Sequence, residues 1–348
     1  MEDGKLSVFY CPTIPTFGLR RLIYIERLLA TLAVFLAACF LRTSVIHAHG
    51  QEAATIALKV KKLAPKLKVI FDAHGVAPEE YELGCDNPSQ EQYKALNLEE
   101  APAFLNSDAV ICVSESMRSH YGEKHGFRLE NTVVVPCATR IVKSWSDERR
   151  ENVREKLGIK DKLVFVYAGS FRNYQLAPEM VNLFKTVRQA IPEAFFLILT
   201  GHVEEFRAAA DHAQVDPRDY CIRNVDHEEV FTLLSGCDVG LLLRSDHIVN
   251  KVSSPTKFAE YCACGVPVLI TPFVGDYSAD VQRVGVGCCI SNLECDDYLV
   301  QFLRRVQSTR REFALRCQVH AGQKLVWPSA GIVLIDLYRG LCREAETG

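Results

Sequence analysis

Short apolar runs rich in β-branched residues alternate with longer helical stretches along most of this chain. In the first half, residues 44–47 (SVIH), 68–72 (KVIFD), 109–113 (AVICV) and 133–135 (VVV) read as strands. Residues 51–63, 98–105 and 114–121 read as helices between them. A second series places strands at 163–167 (LVFVY), 194–200 (AFFLILT), 221–225, 239–243 (VGLLL) and 266–270 (VPVLI). Its helices fall at 178–190, 203–213, 227–235 and 254–263. Parallel strands need a crossover, and each crossover helix covers one face of the sheet. The alternation therefore dictates an α/β chain with parallel sheets buried on both faces. In such sheets ligands sit beyond the carboxyl ends of the strands, so residues just after each strand are the candidates for chemistry.

At ~100–200 residues per domain, 348 residues suggest two domains. The charge-rich stretch 144–160 (SWSDERRENVREKLGIK) follows the first series, and the junction is expected near 141–146. This divides the chain into domains 1–143 and 144–325, with a C-terminal segment at 326–348. With 48% hydrophobic and 24% charged residues and a mean hydropathy of +0.03, disorder, collagen-like repeats and coiled coil are excluded. A net charge of −3 argues against a nucleic-acid binder. The fourteen cysteines are scattered and include no Cys-x-x-Cys pair. The start, MEDGKLSVFYC, has no basic segment leading into an apolar one. Reduced thiols in a cytoplasmic protein are the expectation. Cys262 and Cys264 read as small buried hydrophobes.

Residues 28–41 (LLATLAVFLAACFL) carry no charge over 14 positions, short of the ~17–25 of a spanning helix. A helix packed deep in an α/β sandwich is the preferred reading. The alternative is an interfacial helix with Arg20, Arg21 and Arg27 on lipid phosphates. Residues 1–75 hold ten lysines and arginines against five acids, so this end could dock an anionic membrane surface. A solvated helix face from Lys59 to Lys68 accounts for the same charges.

The densest chemistry lies in 251–276 (KVSSPTKFAEYCACGVPVLITPFVGD). Ser253 or Ser254 is expected to cap a helix that Pro255 opens. The free amides of a first helical turn attract anions, and Lys251 and Lys257 add positive charge. Glu260, seven residues after Ser253, is expected on the same face, where a carboxylate can accept two hydroxyl hydrogen bonds. Gly265 and Pro267 end the helix. In 164–176 (VFVYAGSFRNYQL) a strand runs into Gly169 and Ser170, with Arg172 behind them, a turn that an anion can approach closely. Histidines close two strands, at His47 and His49 and again at His74. A metal site is not expected from His47 and His49, which share a strand face without a third ligand nearby.

Ser253-Ser254-Pro255-Thr256-Lys257, Glu260-Tyr261, Ala263-Cys264-Gly265 and Val266-Pro267-Val268 together resemble the donor-site helix of the GT-B glycosyltransferases of family 4, in a subgroup that builds bacterial surface polysaccharides. The resemblance extends to Asp72-Ala73-His74-Gly75, to 108–116 (DAVICVSES) and to 133–137 (VVVPC). It covers roughly 45–287 and implies two Rossmann-like domains facing across a cleft, with a last helix crossing back to the first domain. It implies that the helix start (Ser253, Ser254, Thr256, Lys257) binds the donor diphosphate with Gly169 and Ser170, and that Glu260 holds the ribose. His74 is implied near the reacting carbon, and Ser114 and Glu115 in the cleft. Arg172 and Lys251 are implied to stabilise the leaving diphosphate.

Three departures stand out. A glutamate that usually contacts the donor sugar, eight positions before Glu260, is Val252. Ser170 and Gln175 occupy the places of a usual Arg and Lys. The first domain is short, with Phe17-Gly18-Leu19-Arg20 where a Gly-Gly loop is usual, which suggests a truncated start or a diverged first βα unit.

The expected activity is retaining transfer of a sugar (hexosyltransferase-like, EC 2.4) from a nucleotide-diphosphate sugar to a hydroxyl of a saccharide or lipid-linked acceptor. The donor is a substrate; no metal or other cofactor is implied. The place of action is the cytoplasm, peripheral to the inner membrane face. The departures also motivate a second reading, an inactive nucleotide-sugar-binding or scaffold protein of this fold. An epimerase of the same fold would need carboxylates aimed at the sugar ring, which Val252 disfavours.

Overall fold

A computed structural model describes residues 20–126, 129–141 and 145–347. Contacts divide the chain into two compact units: Met1–Cys112, Tyr121–Val133 and Ile335–Gly348 form unit 1, and Val113–His120 with Val134–Leu334 form unit 2. Short segments on either side of position 120 are thus exchanged, and the last helix, Trp327–Thr347, is shared, grouping with unit 1 from Ile335 onward.

Unit 1 is built on a parallel sheet of β1 (Val45–His49), β2 (Lys68–Ala73), β3 (Ala109–Cys112) and β4 (Thr132–Val134), in that order. Val69, Ile70 and Phe71 in β2 and all of β3 are buried, as a strand covered on both faces requires. The helix Gly50–Leu63 turns Ala54, Ala57 and Val60 inward at a three-residue spacing, so its small side chains lie close to the sheet while its lysines stay outside. The stretch expected as a helix at 98–105 is longer, Gln90–Asn106, because Ser89 caps it by accepting from Gln92 N. The β1–β2 register sets His49 beside Asp72.

The helix Arg20–Phe40 does not fit the deeply packed position expected of residues 28–41. Ala38 packs with Val60 and Leu67, but Ile25, Leu28, Leu29, Leu32, Leu36 and Phe40 are all exposed. Of its 21 residues only Thr31 and Ala38 are buried among those whose side chains are described. One packed side faces unit 1 and a wide apolar surface is left over. Arg27 is committed to protein carboxylates, Glu99 at 2.5 Å and Glu52 at 3.2 Å. Phe17, Gly18, Leu19 and the side chains of Arg20 and Arg21 lie outside the described residues. Among the described residues no helix is long and apolar enough to cross a membrane.

Unit 2 holds a six-stranded parallel sheet: β5 (Leu163–Ala168), β6 (Ala194–Leu199), β7 (Tyr220–Arg223), β8 (Val239–Leu242), β9 (Val268–Ile270) and β10 (Gly287–Cys289). Its spatial order is β10-β9-β8-β5-β6-β7. The chain starts in the middle, winds outward through β6 and β7, then returns to lay β8 on the other side of β5. The order therefore reverses between β5 and β8, and in doubly wound sheets that reversal opens a crevice for ligand. Every residue of β5 and β8 is buried.

One ionic hub anchors the unit. Asp238, just before β8, accepts from Arg150 Nη2 (2.7 Å), Arg154 Nη1 (3.1 Å) and Val164 N (2.8 Å), with Arg310 Nε at 3.4 Å. Much of the charge in 144–160 is therefore structural. Arg150 and Arg154 belong to the helix Asp147–Leu157, which Ser146 caps and Gly158 ends at φ +68°.

Candidate active site

The segment 253–268 forms the expected helix, but it starts later and is capped differently. The helix is Thr256–Ala263, and Pro255 occupies the N-cap position with no side-chain cap. Neither serine is available for capping. Ser253 Oγ donates to Asn250 O (2.7 Å), and Ser254 is buried against the Tyr277 hydroxyl (2.7 Å) while accepting from Cys137 N (3.0 Å). Phe258, Ala259, Tyr261 and Cys262 are all buried, and Gly265 closes the turn at φ +76°. In this largely apolar helix Lys257 and Glu260 stand three residues apart and share a face.

Lys257 reaches the carboxyl end of β5. Its Nζ donates to Gln175 Oε1 (2.6 Å) and the Tyr167 hydroxyl (3.1 Å), and it lies 4.4 Å from the centre of the Tyr167 ring. A Cβ at Gly169 would collide with that ammonium, so glycine is what lets the lysine close on the strand end. Gln175 ties the turn together, its Nε2 donating to Ser170 Oγ (3.3 Å) and its Oε1 resting on the Tyr167 hydroxyl. Burial, and secondly the charge of Arg244, push the Lys257 pKa well below its ordinary value. Glu260 is also buried, and desolvation raises its pKa; His227 Nε2, 3.9 Å from Oε1, is the largest opposing influence.

The structure therefore gathers Gly169, Ser170, Lys257 and Glu260 at the crevice. Thr256 is exposed at the first turn of the helix. Arg172 is exposed at the start of the 173–175 turn, where its carbonyl accepts from Gln175 N (3.0 Å); among the described residues no hydrogen bond or ion pair of its side chain joins it to the cluster. Lys251 is half-exposed and paired with Asp246 at 2.5 Å. The cation that meets Gln175 is Lys257, not Lys251. Val252 is fully buried, and its carbonyl accepts from Ser114 Oγ (2.6 Å). The amides of Glu115 and Ser116 donate to Asp276 (2.7 and 3.0 Å), so this helix start is already satisfied by a carboxylate.

Arg244 was missed in the sequence. It follows β8 and lies at the same crevice, 92% buried, with Nε and Nη1 lacking any hydrogen-bond partner. The available signal was positional: a lone arginine directly after an apolar strand run (VGLLLR), where this architecture binds ligand.

In unit 1, His74 is 59% exposed at its side chain, with Nε2 3.2 Å from Asp72 Oδ2. The same oxygen lies 3.0 Å from His49 Nδ1 and 3.4 Å from His47 Nε2. His47 Nδ1 meets the Tyr338 hydroxyl at 2.5 Å. The expectation that no third ligand neighbours His47 and His49 is corrected here. Asp72 completes a trio whose ligand atoms lie within 4.8 Å of one another, because the strand register brings it beside His49. Burial opposes ionisation of Asp72, but the neighbouring imidazoles of His47, His74 and His49 outweigh it and lower its pKa.

Paired parallel α/β sheets, the second with its order reversing at a polar crevice, define the class of GT-B glycosyltransferase folds. The comparisons agree. Anabaena HepE, solved in complex with UDP, superposes with a TM-score of 0.69 at 15% identity, over 94% of this chain and 85% of that one. Sucrose-phosphate synthase from Thermosynechococcus elongatus gives 0.68 at 16% identity, over 96% and 81%. WaaG, a glycosyltransferase involved in lipopolysaccharide biosynthesis, gives 0.61 at 14% identity, over 81% and 80%. More particularly, residues 3–141 match the model of Glycosyltransferase Family 4. The resemblance read from residues 45–287 is thus matched in fold across the chain and in family over its first part. A comparison with curated proteins finds no match.

Proposed function

We propose that the chain is a glycosyltransferase that moves a hexosyl group, with retention, from a nucleoside-diphosphate sugar to a hydroxyl of a saccharide or lipid-linked acceptor. The observation that carries this reading is Lys257 and Glu260 on one helix turn at the β5/β8 crevice. A cation for the diphosphate and a buried carboxylate for the ribose hydroxyls sit where a doubly wound sheet takes a nucleotide. UDP bound to HepE, a protein of the same fold, supports a nucleotide-sugar donor.

In the reaction the bond between the anomeric carbon and the diphosphate oxygen breaks, its electron pair leaving with the diphosphate. The acceptor oxygen bonds to that carbon on the same face, its hydroxyl proton passing to the departing diphosphate oxygen. Charge builds on the departing diphosphate, and Lys257 is fixed by Gln175 and Tyr167 before it appears, so little reorganisation is needed. Exposed Arg172 is free to join it, as is Lys251 on leaving Asp246. His74 serves the sugar's reacting carbon, its imidazole held by Asp72.

The acceptor reading draws on the Arg20–Phe40 helix. Its exposed apolar residues and the basic excess of residues 1–75 fit an anionic membrane interface on the cytoplasmic side, where lipid-linked saccharides for polysaccharide synthesis would be presented.

A panel of UDP- and GDP-sugars, read by released nucleoside diphosphate, tests the reading. At least one donor is turned over, and Glu260→Ala abolishes the turnover. Donor binding with no transfer or hydrolysis, whatever acceptor is added, would favour the scaffold reading instead.

A further inference from the structure

We infer that Arg244 is a second diphosphate-binding cation of this site, gripping the donor's phosphates together with Lys257. The inference rests on the donor reading above and assigns a residue which that reading does not need.

The backbone at Arg244 is fixed. Its N donates to Thr271 Oγ1 (2.9 Å), and that hydroxyl donates back to Arg244 O (2.9 Å). The residue is thereby clamped at the carboxyl end of β8, across the order reversal from Gly169 at the end of β5. Its guanidinium lies 5.4 Å from the centre of the Tyr174 ring. The residue is 8% exposed, yet Nε and Nη1 have no acceptor. The other deeply buried arginines of unit 2 are provided for. Arg154 has Asp238 and the carbonyls of Lys160 and Gly236, and Arg310 has the carbonyls of Gly265 and Cys237, its Nε making no hydrogen bond but lying 3.4 Å from Asp238 Oδ1. Among the described residues no carboxylate pairs with Arg244.

The second cation of the crevice is no better balanced. The hydrogen bonds of the Lys257 ammonium go only to neutral acceptors, and burial and then the charge of Arg244 lower its pKa against the smaller opposing pull of Glu260. A buried guanidinium and a part-buried ammonium, neither hydrogen-bonded to an acid, are unfavourable together unless an anion joins them. A diphosphate supplies two or more negative charges and many acceptor oxygens. A guanidinium can meet such oxygens with two parallel hydrogen bonds, while an ammonium acts as a point charge beside it. The crevice thus carries its positive charge on the end of β8 and on the helix that follows, whereas the β5 turn offers neutral Ser170 and Gln175.

The test uses the full chain, wild type, Arg244→Met and Arg244→Lys. Calorimetry measures UDP, GDP and inorganic pyrophosphate, and saturation-transfer NMR measures uridine and guanosine. Arg244→Met is expected to weaken the bound nucleoside diphosphate ~10- to 100-fold, as for hydrogen bonds between charged groups, while nucleoside binding is unchanged. Arg244→Lys retains part of the diphosphate affinity. Without ligand, Arg244→Met melts at or above the wild-type temperature, because an unpaired buried charge has been removed.

Unchanged diphosphate affinity in Arg244→Met would overturn the inference and leave the donor reading intact. Equal loss of diphosphate and nucleoside binding, or a lowered melting temperature in both variants, would show Arg244 to be structural and overturn it too. If wild type binds pyrophosphate but neither nucleotide, the donor reading falls, and the anion site is judged by pyrophosphate binding in the variants. If wild type binds none of the three, both fall.

Discussion

At the scale of single residues, the site is made by burial acting on two opposite charges. Lys257 and Glu260 stand one helical turn apart, and enclosure favours the neutral form of each. For Lys257, an arriving diphosphate would favour the ammonium and raise the lowered pKa. Binding of UDP or GDP is therefore expected to take up protons at pH values where the lysine of the empty site titrates. Calorimetry in buffers of different ionisation enthalpy measures the uptake, and Lys257→Met should abolish it. For Glu260 the folded carboxyl has the higher pKa, so the stability it contributes is present below its unfolded value and lost as pH rises through the raised one. Glu260→Gln should match or exceed wild type in melting temperature above about pH 5. The same variant should bind the nucleotide ~10- to 100-fold more weakly, since hydrogen bonds to a carboxylate contribute ~1.5–3 kcal/mol. Both residues were legible in the sequence, because the pattern Pro-Thr-Lys-x-x-Glu places them on one helical face whatever surrounds it. Their partners were not. Gln175 and Tyr167 are distant in sequence and meet Lys257 only through the fold, and the charge of Arg244 acts on it from the end of the neighbouring strand.

At the scale of elements, strands and helices of unit 2 fell close to their expected positions because apolar runs and turn residues are local signals. The α-helix at 203–213 occupies the residues expected of it. Helix starts were less legible. Ser253 and Ser254 have the chemistry of N-caps, but tertiary partners took both hydroxyls and the helix began at Thr256. Two glycines set how closely elements approach. A Cβ at Gly240 would stand 2.5 Å from the Tyr261 ring, whose hydroxyl accepts from Ala168 N. Gly240→Val should therefore cost ~1–3 kcal/mol or more in chemical denaturation, the range of overpacked cores. Gly169→Ala displaces the Lys257 ammonium instead. Because the backbone at Gly169 (φ +156°) is one that side-chain-bearing residues rarely adopt, it is expected to lower the melting temperature as well as to weaken diphosphate binding, read by calorimetry. The Arg20–Phe40 helix shows the limit of composition. An uncharged run signals burial, but only the packing partners decide how much is covered, and here they cover one side. In flotation with anionic vesicles, replacing Leu28, Leu32 and Leu36 by Ser should abolish co-migration, which high salt should also weaken.

At the scale of the whole molecule, the buried arginines of unit 2 divide by function. Arg150, Arg154 and Arg310 converge on Asp238 and hold the unit together. Removing the acid strands three cations, so Asp238→Ala should lose ~3–5 kcal/mol in denaturant unfolding, whereas loss of Arg244 should not destabilise the empty protein. The sequence by itself determined the fold class, because periodicity and turn chemistry are carried by neighbours along the chain. It also determined the helix that bears Lys257 and Glu260. Only the tertiary structure decided which charges are spent on structure and which are left for ligand. That distinction depends on whether an acceptor stands within hydrogen-bond reach across the sheet. The reversal between β5 and β8, which joins Gly169 to Arg244 across 75 positions of chain, is a property of strand order that no local pattern encodes.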